Sequence, residues 1–158
     1  MTEQELANHI TADPDKIGLS WLMTDAELYK LLHDKALGLY VPIATIKYRV
    51  LQWAGGNGLL DRLNTNQTAH IDSTIRSICR AAMLMFQDGT ISEINFNEAE
   101  NQALLGALIA SGIMTAAEKT DFMDNHARQP ASTLEKAFGI GTTAPMGIIE
   151  WARKLGGG

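Results

Sequence analysis

The sequence predicts an all-α fold, a compact bundle of seven to nine short capped helices with at most one short extended segment. The first observation behind this prediction is a capping signal, a Ser or Thr followed three residues later by Glu, at four predicted helix starts. These signals begin at Thr2, Thr24, Thr115 and Ser132. In each we expect the hydroxyl to accept an early helix N–H while the Glu accepts the N–H of the cap residue. At about 1 kcal/mol per cap, such signals matter most where helices are short.

Two further observations support this fold class. Apolar residues recur at helical spacing through most of the 158-residue chain, and glycines or prolines separate the periodic stretches. A chain of this length buries about 70% of its unfolded surface. We therefore predict one helical domain over residues 1–155 and a flexible tail at 156–158.

The first predicted helix covers residues 3–10 and stops before Pro14, because proline disfavours helical backbone angles in the residue preceding it. The loop at 11–23 is too apolar to stay in water, so we expect it to fold back over the core. A second helix covers 25–37, with Gly38 as its left-handed C-cap residue.

A third helix has Pro42 in its first turn and runs to Trp53. The glycines of 55–58 break it, since glycine costs about 1 kcal/mol in a helix interior. A short apolar piece at 59–63 and a polar linker at 64–68 follow.

The central helix is predicted over 69–87. Its apolar stripe consists of Ile71, Ile75, Ile78, Cys79, Ala82 and Phe86. Residues 83–85 widen this stripe, so we expect the C-terminal half to be deeply buried. The lone cysteine, Cys79, excludes an internal disulfide and is typical of an inert core thiol.

The remaining elements begin with an extended segment at 91–96. Asn97 is predicted to cap the next helix, which ends at Gly112, and another helix covers 116–126. After Pro130 we expect a short helix ending at Phe138, and Pro145 begins the last helix.

Composition excludes several functional classes. The net charge of −5 argues against a nucleic-acid binder. No apolar stretch approaches the roughly 20 residues that span a bilayer, and the acidic first residues do not form a secretory signal. We therefore expect a soluble protein made in a cytoplasm, with no membrane partner.

Charge is distributed unevenly, with a basic excess over 47–80 and a strongly acidic stretch over 88–124. These stretches are either solvated faces of separate helices or complementary surfaces of neighbouring subunits. In the second interpretation, the basic face of one copy meets the acidic face of the next in a head-to-tail ring.

No constellation of residues in the sequence demands chemistry. The four histidines are scattered, and no Cys/His cluster has metal-ligand spacing. The glycines of 55–58 lack the Lys-Ser/Thr of a phosphate loop, and 88–99 lacks two required residues of a calcium loop. We predict no catalytic, metal-binding or cofactor-binding residue, and no enzyme.

Tryptophan and arginine are favoured where proteins meet, although each tryptophan could equally be core. Seven residues from the tryptophans and the two charged stretches are candidates for a protein interface. They are Trp21, Trp53, Trp151, Arg49, Arg62, Glu98 and Asp121.

Several stretches resemble a family of small helical proteins encoded in the virion structural-gene region of tailed bacteriophages. The opening, 6–19 with Thr11-x-Asp13-Pro14-x-x-x-Gly18, is similar to the family's short helix, acid-Pro turn and glycine. Residues 42–63 resemble its helix-Gly-helix unit, and 97–118 its helix-turn-helix. The stretch 129–139 is similar to its terminal Pro-Ala-Ser cap and glycine, although the family often has Arg where Thr133 stands.

This resemblance implies a non-enzymatic structural or assembly protein of a phage particle, acting through contacts with other virion proteins or with itself in a homo-oligomeric ring. It further implies localisation in the virion after synthesis in the host cytoplasm. A head–tail connector position fits by analogy, since rings of helical subunits fill such positions.

Two other functions stay open at the level of sequence. One is a phage-encoded regulatory protein that binds a host protein. The other is a small-ligand-binding helical module whose cavity is lined by 83–86.

Overall fold

The computed structural model describes residues 1–156, which form nine helices and four short strands. In chain order these are α1 (Glu3–Ala12), α2 (Asp25–His33), β1 (Tyr40–Pro42), β2 (Thr45–Ile46), α3 (Lys47–Gly56), α4 (Leu59–Ala69), α5 (Ser73–Gln87), β3 (Glu93–Ile94), α6 (Ala99–Ala110), α7 (Ala116–Asn125), β4 (Arg128–Pro130), α8 (Thr133–Phe138) and α9 (Met146–Gly156). A mostly helical fold is confirmed. The prediction of at most one extended segment is wrong, because β1 pairs with β4 and β2 pairs antiparallel with β3.

All four predicted capping boxes form. Thr2, Thr24, Thr115 and Ser132 each accept the N–H of the residue three positions on, and the Glu at that position accepts the N–H of the cap residue. These signals act within one turn, so the sequence alone is sufficient to define them.

Contacts group the described chain into two units. Unit 1 contains residues 1–41 and the chain from Pro130 onward, and unit 2 contains Pro42–Gln129. Whether residues 1–155 unfold as one domain stays a prediction. Of the predicted tail, Gly156 is the last residue of α9, and 157–158 lie outside the described residues.

The core of unit 1 forms where α1 and α2 pack against α9, and α2 also contacts α8. Its buried aliphatic side chains include Leu6, Ile10, Leu28, Leu32, Leu134 and Ile149. The predicted folding back of the loop at 11–23 is confirmed for Ile17, Leu19 and Trp21, which pack on this core. Leu22 of the same loop is 99% exposed.

The core of unit 2 forms where α4 packs on α3 and α5, and α5 on α6. Cys79 is fully buried there, as predicted. Phe122 of α7 lies in the same core, with its ring centroid 4.8 Å from that of Phe96 and 4.9 Å from that of Trp53.

The second and third helices are shorter than predicted. Helix α2 ends at His33, because Asp34 turns the chain by accepting the N–H of Ala36 on its carboxylate, 2.8 Å away. Gly38 has a positive φ of 72° but is not the C-cap of α2. Pro42 lies in β1, and α3 begins only at Lys47 because Thr45 and Ile46 pair with β3.

The predicted linker at 64–68 is wrong, since these residues form the second half of α4. The side chains of 64–68 are polar, and the buried residues of α4 are Leu59 and Leu63 in its first half. Helix α5 starts at Ser73 behind the N-cap Asp72, so Ile71 lies outside it and is 95% exposed. Leu84 is 60% exposed, so the C-terminal half of α5 is less buried than predicted.

Asn97 is not the cap of α6. Glu98 occupies the N-cap position without a side-chain cap bond. The Asn97 amide instead donates to the carbonyls of Ile43 and Ala127, at 3.4 and 3.3 Å. Long-range acceptors of this kind compete with the local cap and leave no mark in the sequence.

The break between α3 and α4 gives a paired test of two glycines. Gly56 is helical and a Cβ there meets nothing within 4 Å, whereas Gly58 has a φ of 68°. We expect Gly56→Ala to raise the free energy of unfolding by about 0.5 kcal/mol and Gly58→Ala to lower it by about 1 kcal/mol. Urea titrations measure both, and equal effects of the two substitutions would contradict a required left-handed residue.

Candidate protein-interaction site

An open cleft of about 360 Å³ lies between α3 and the C-terminal end of α7. It is lined by Arg49, Gln52, Trp53, Asn125 and His126. Helix α3 presents its three residues on one face, since they are three and four positions apart. The cleft therefore unites two predicted interface residues, Arg49 and Trp53.

A third predicted residue, Asp121, fixes the Trp53 ring. The indole Nε1–H donates to Asp121 Oδ2 at 2.8 Å, and Asn125 Nδ2 donates to Asp121 Oδ1 at the same distance. These two hydrogen bonds hold the pKa of the Asp121 carboxyl below its ordinary value, so it stays ionised. Trp53 is half-buried, with one side of its ring packed towards Phe122.

The imidazole of His126 stacks against the Phe122 ring. The two ring centroids lie 5.6 Å apart at an interplanar angle of 26°. The backbone of His126 is also fixed, since its carbonyl accepts the Thr45 hydroxyl at 2.9 Å and its N–H donates to the Phe122 carbonyl. His126 was not a predicted site residue, because its i,i+4 spacing from Phe122 indicates only that these two rings can meet and not that His126 lies beside α3.

Arg49 differs from the rest of the cleft, because its side chain is exposed. Within the residues that the structure describes, its guanidinium has no hydrogen bond or ion pair. A guanidinium in this state can bind a carboxylate through two parallel N–H···O bonds. The cleft thus offers a free cation beside a rigid indole ring.

Arg62 and Glu98 lie outside the cleft. Arg62 Nη2 donates to Glu118 Oε1 at 2.6 Å and joins α4 to α7. Part of the charge of the basic stretch is therefore neutralised by the acidic stretch of the same chain. Glu98 is exposed and accepts a bond of 3.2 Å from the Asn95 amide.

The other two tryptophans occupy different surroundings in unit 1. Trp21 is half-buried, and its Nε1–H donates to the Thr11 hydroxyl at 3.0 Å. Arg153 holds the loop of Trp21 in place by donating to the carbonyls of Trp21 and Met23, each at 2.6 Å. Trp151 is 58% exposed, with Lys154 Nζ 4.2 Å from its ring centroid.

Unit 1 also contains a buried polar chain that sequence reasoning missed. Thr133 Oγ1 donates to Asp15 Oδ2 at 2.7 Å and accepts from His9 Nε2 at 2.9 Å, and Lys136 pairs with Asp15. Burial lowers the pKa of His9, which favours its neutral form. This array ties α8 to α1, and the Thr133 hydroxyl at its centre is fully buried.

Residues 1–156 contain no group of three or more His, Cys, Asp or Glu side chains arranged to hold a metal ion. None of the described helices combines the length and apolar character needed to cross a bilayer. No protein-family model, curated protein or solved structure matches the chain. The α3–α7 cleft is therefore interpreted from its own geometry.

Proposed function

We propose that this chain is a non-enzymatic structural or assembly protein of a bacteriophage particle that acts by docking other virion proteins. The observation that carries the proposal is the α3–α7 cleft, where Arg49 has no partner among the described residues and lies beside a fixed Trp53. The resemblance to virion proteins supplies the biological setting, with localisation in the particle after synthesis in the host cytoplasm.

The cleft suits docking because its two aromatic rings are held in place before a partner arrives. Trp53 is held by Asp121, and His126 is held by Phe122 and Thr45. Preformed contact residues lower the entropy that binding must overcome, and Trp and Arg are the residues on which binding energy concentrates. An acidic side chain next to an apolar one would satisfy Arg49 and Trp53 together.

A head–tail connector position and a homo-oligomeric ring belong to the same proposal. The ion pair of Arg62 with Glu118 uses part of the charge asymmetry within the chain. A ring must therefore depend on charges that have no partner within residues 1–156, such as those of Arg49 and Glu100. Light scattering over a concentration series at two salt concentrations tests the ring directly, since a ring held by exposed charges would give a ring-sized mass that falls with salt.

The particle itself provides the test of the virion assignment. We expect quantitative mass spectrometry to find the chain at a constant copy number per particle through successive purification steps. Loss of the chain during purification would overturn the assignment. That result would favour the alternative of a regulatory protein that binds a host protein.

The cleft predicts which substitution blocks incorporation. In complementation of a phage that lacks the gene, we expect Arg49→Glu to reduce the copy number at least about tenfold, because it reverses the charge that faces the partner. Arg80→Glu is the matched control, since Arg80 is also exposed and unpaired in unit 2. Equal incorporation of the two variants would contradict the role of the cleft.

The structure gives no specific support to the ligand-binding alternative. An open cleft of about 480 Å³ shares only Met85 with residues 83–86, and the apolar space that Met85 and Phe86 both help to line measures about 20 Å³. A space of this size holds one water molecule.

A further inference from the structure

The outer face of α9 carries exposed apolar side chains that no element of unit 1 covers. Trp151 is 58% exposed and Leu155 is 54% exposed, while Ile149 and Ala152 on the opposite side are fully buried. Gly147, Trp151 and Leu155 are spaced four residues apart, so they form one oblique row along this face. The row therefore has no side chain at its N-terminal end, at Gly147, and two large side chains after it, Trp151 and Leu155.

Gly147 has no explanation within the chain. It is the second residue of α9, its φ is not positive, and a Cβ placed on it meets nothing within 4 Å. Glycine in a helix is destabilising relative to alanine. The missing side chain becomes useful if another helix approaches at this point, because small residues allow close contact between helices.

A second row on the same face carries opposite charges. Glu150 and Lys154 are also four residues apart, and Lys154 leans over the Trp151 ring. Within the part of the chain that the structure describes, Glu150 has no ion-pair partner. Along the outer face, an acid without an ion-pair partner, Glu150, therefore precedes Trp151, and a base, Lys154, follows it.

We infer that this face binds the same face of a second copy of the chain, with the two α9 helices antiparallel about a two-fold axis. Such a contact requires a surface that is complementary to itself. An axis at Trp151 places Leu155 of one copy against Gly147 of the other. An axis one residue further, at the level of Ala152, places Glu150 of one copy against Lys154 of the other. The two axis positions differ by about 1.5 Å, so an axis midway between them brings each pair to within about 1.5 Å of level along the helix.

This contact goes beyond the proposed function, because it concerns unit 1 and names a second copy as the partner. It does not depend on the α3–α7 cleft. A two-fold pair is also distinct from a head-to-tail ring, in which each copy would use two different surfaces.

Charge reversal gives a test that only a self-complementary contact passes. Sedimentation equilibrium of the full chain from about 1 μM to 1 mM is expected to show a monomer–dimer equilibrium. Glu150→Lys alone and Lys154→Glu alone should each weaken it at least about tenfold, because like charges then face each other twice. The double variant should restore the dimer.

The decisive experiment mixes the two single variants, Glu150→Lys and Lys154→Glu. With one partner labelled with nitrogen-15, native mass spectrometry should show the mixed dimer in preference to either homodimer, since both pairs are then complementary. A purely monomeric wild type at the highest concentration, or a mixture that forms no mixed dimer, would overturn the inference.

Gly147→Ala and Gly106→Ala separate packing from helix stability. A Cβ on either glycine meets nothing within 4 Å in the chain, so both substitutions should raise the melting temperature. Only Gly147→Ala should weaken the dimer, and equal dimerisation of the two variants would contradict the close approach. A chain that dimerises but is absent from particles would contradict the proposed function and leave this inference standing. A chain that is monomeric in solution but present in particles would contradict this inference and the homo-oligomeric ring, and would leave the docking role standing.

Discussion

Replacing Glu135 by alanine is expected to lower the free energy of unfolding by about 3 kcal/mol, because it removes a buried carboxylate with three donors. Glu135 is 5% exposed. Its Oε1 accepts Lys35 Nζ at 2.8 Å and the N–H of Gly141 at 3.1 Å, and its Oε2 accepts the N–H of Ser132 at 3.1 Å. One side chain thus completes the capping box of α8 and also binds Lys35 and the backbone of Gly141.

The same carboxylate predicts a dependence of stability on pH. The bond from Lys35, followed by the N–H groups of Ser132 and Gly141, lowers the pKa of Glu135 from 4.5 to about 2. An acid whose pKa is lower in the folded state stabilises the fold fully above its unfolded pKa. Its contribution is therefore present above pH 4.5 and is lost as the pH falls towards about 2.

Urea titrations at a series of pH values measure both effects. The matched control is Glu27→Ala, which removes the same capping-box acid from α2, where Glu27 is exposed. We expect Glu27→Ala to cost less than Glu135→Ala, because it removes only a capping-box bond at the surface. If the two variants lose equal stability at pH 7, the extra bonds from Lys35 and Gly141 contribute nothing. If Glu135→Gln retains the wild-type slope below pH 4.5, the assignment of that slope to Glu135 is wrong.

The comparison of Ser132 with Asn97 shows what the sequence could predict. The Ser132 box is complete within four residues, so its geometry follows from local bonding alone. Asn97 carries an equally suitable amide, but the carbonyls of Ile43 and Ala127 bind it instead. The same distinction explains Pro42, since the pairing of β2 with β3 delays α3 until Lys47.

The α3–α7 cleft was predictable in part for the same reason. Arg49 and Trp53 share a face through their i,i+4 spacing, which a sequence reveals. The charge of Asp121 predicts an interface residue, whereas in the structure its carboxylate positions the Trp53 ring. His126 was missed because its place in the cleft depends on α7 packing against α3, and no local pattern records that contact.

Phe122→Ala is expected to lower the free energy of unfolding by about 3 to 5 kcal/mol, because it empties the centre of the unit 2 core. Phe122 is 1% exposed, and its ring contacts those of Trp53, Phe96 and His126. The partners cannot all collapse into the gap, since Asp121 and Thr45 hold two of them in place. Urea unfolding followed by far-ultraviolet circular dichroism measures the loss.

Phe138→Ala is the matched control, since Phe138 is half-buried in unit 1, where its ring centroid lies 5.4 Å from that of His9. Its loss should be smaller, because less apolar surface leaves a packed environment. Hydrogen exchange followed residue by residue then tests the predicted single domain. If residues 1–155 unfold as one body, Phe122→Ala should accelerate global exchange of the slowest amides in both units by the same factor. Faster exchange confined to Pro42–Gln129 would show instead that the two units unfold separately, and docking through the cleft would then require only unit 2 to be folded.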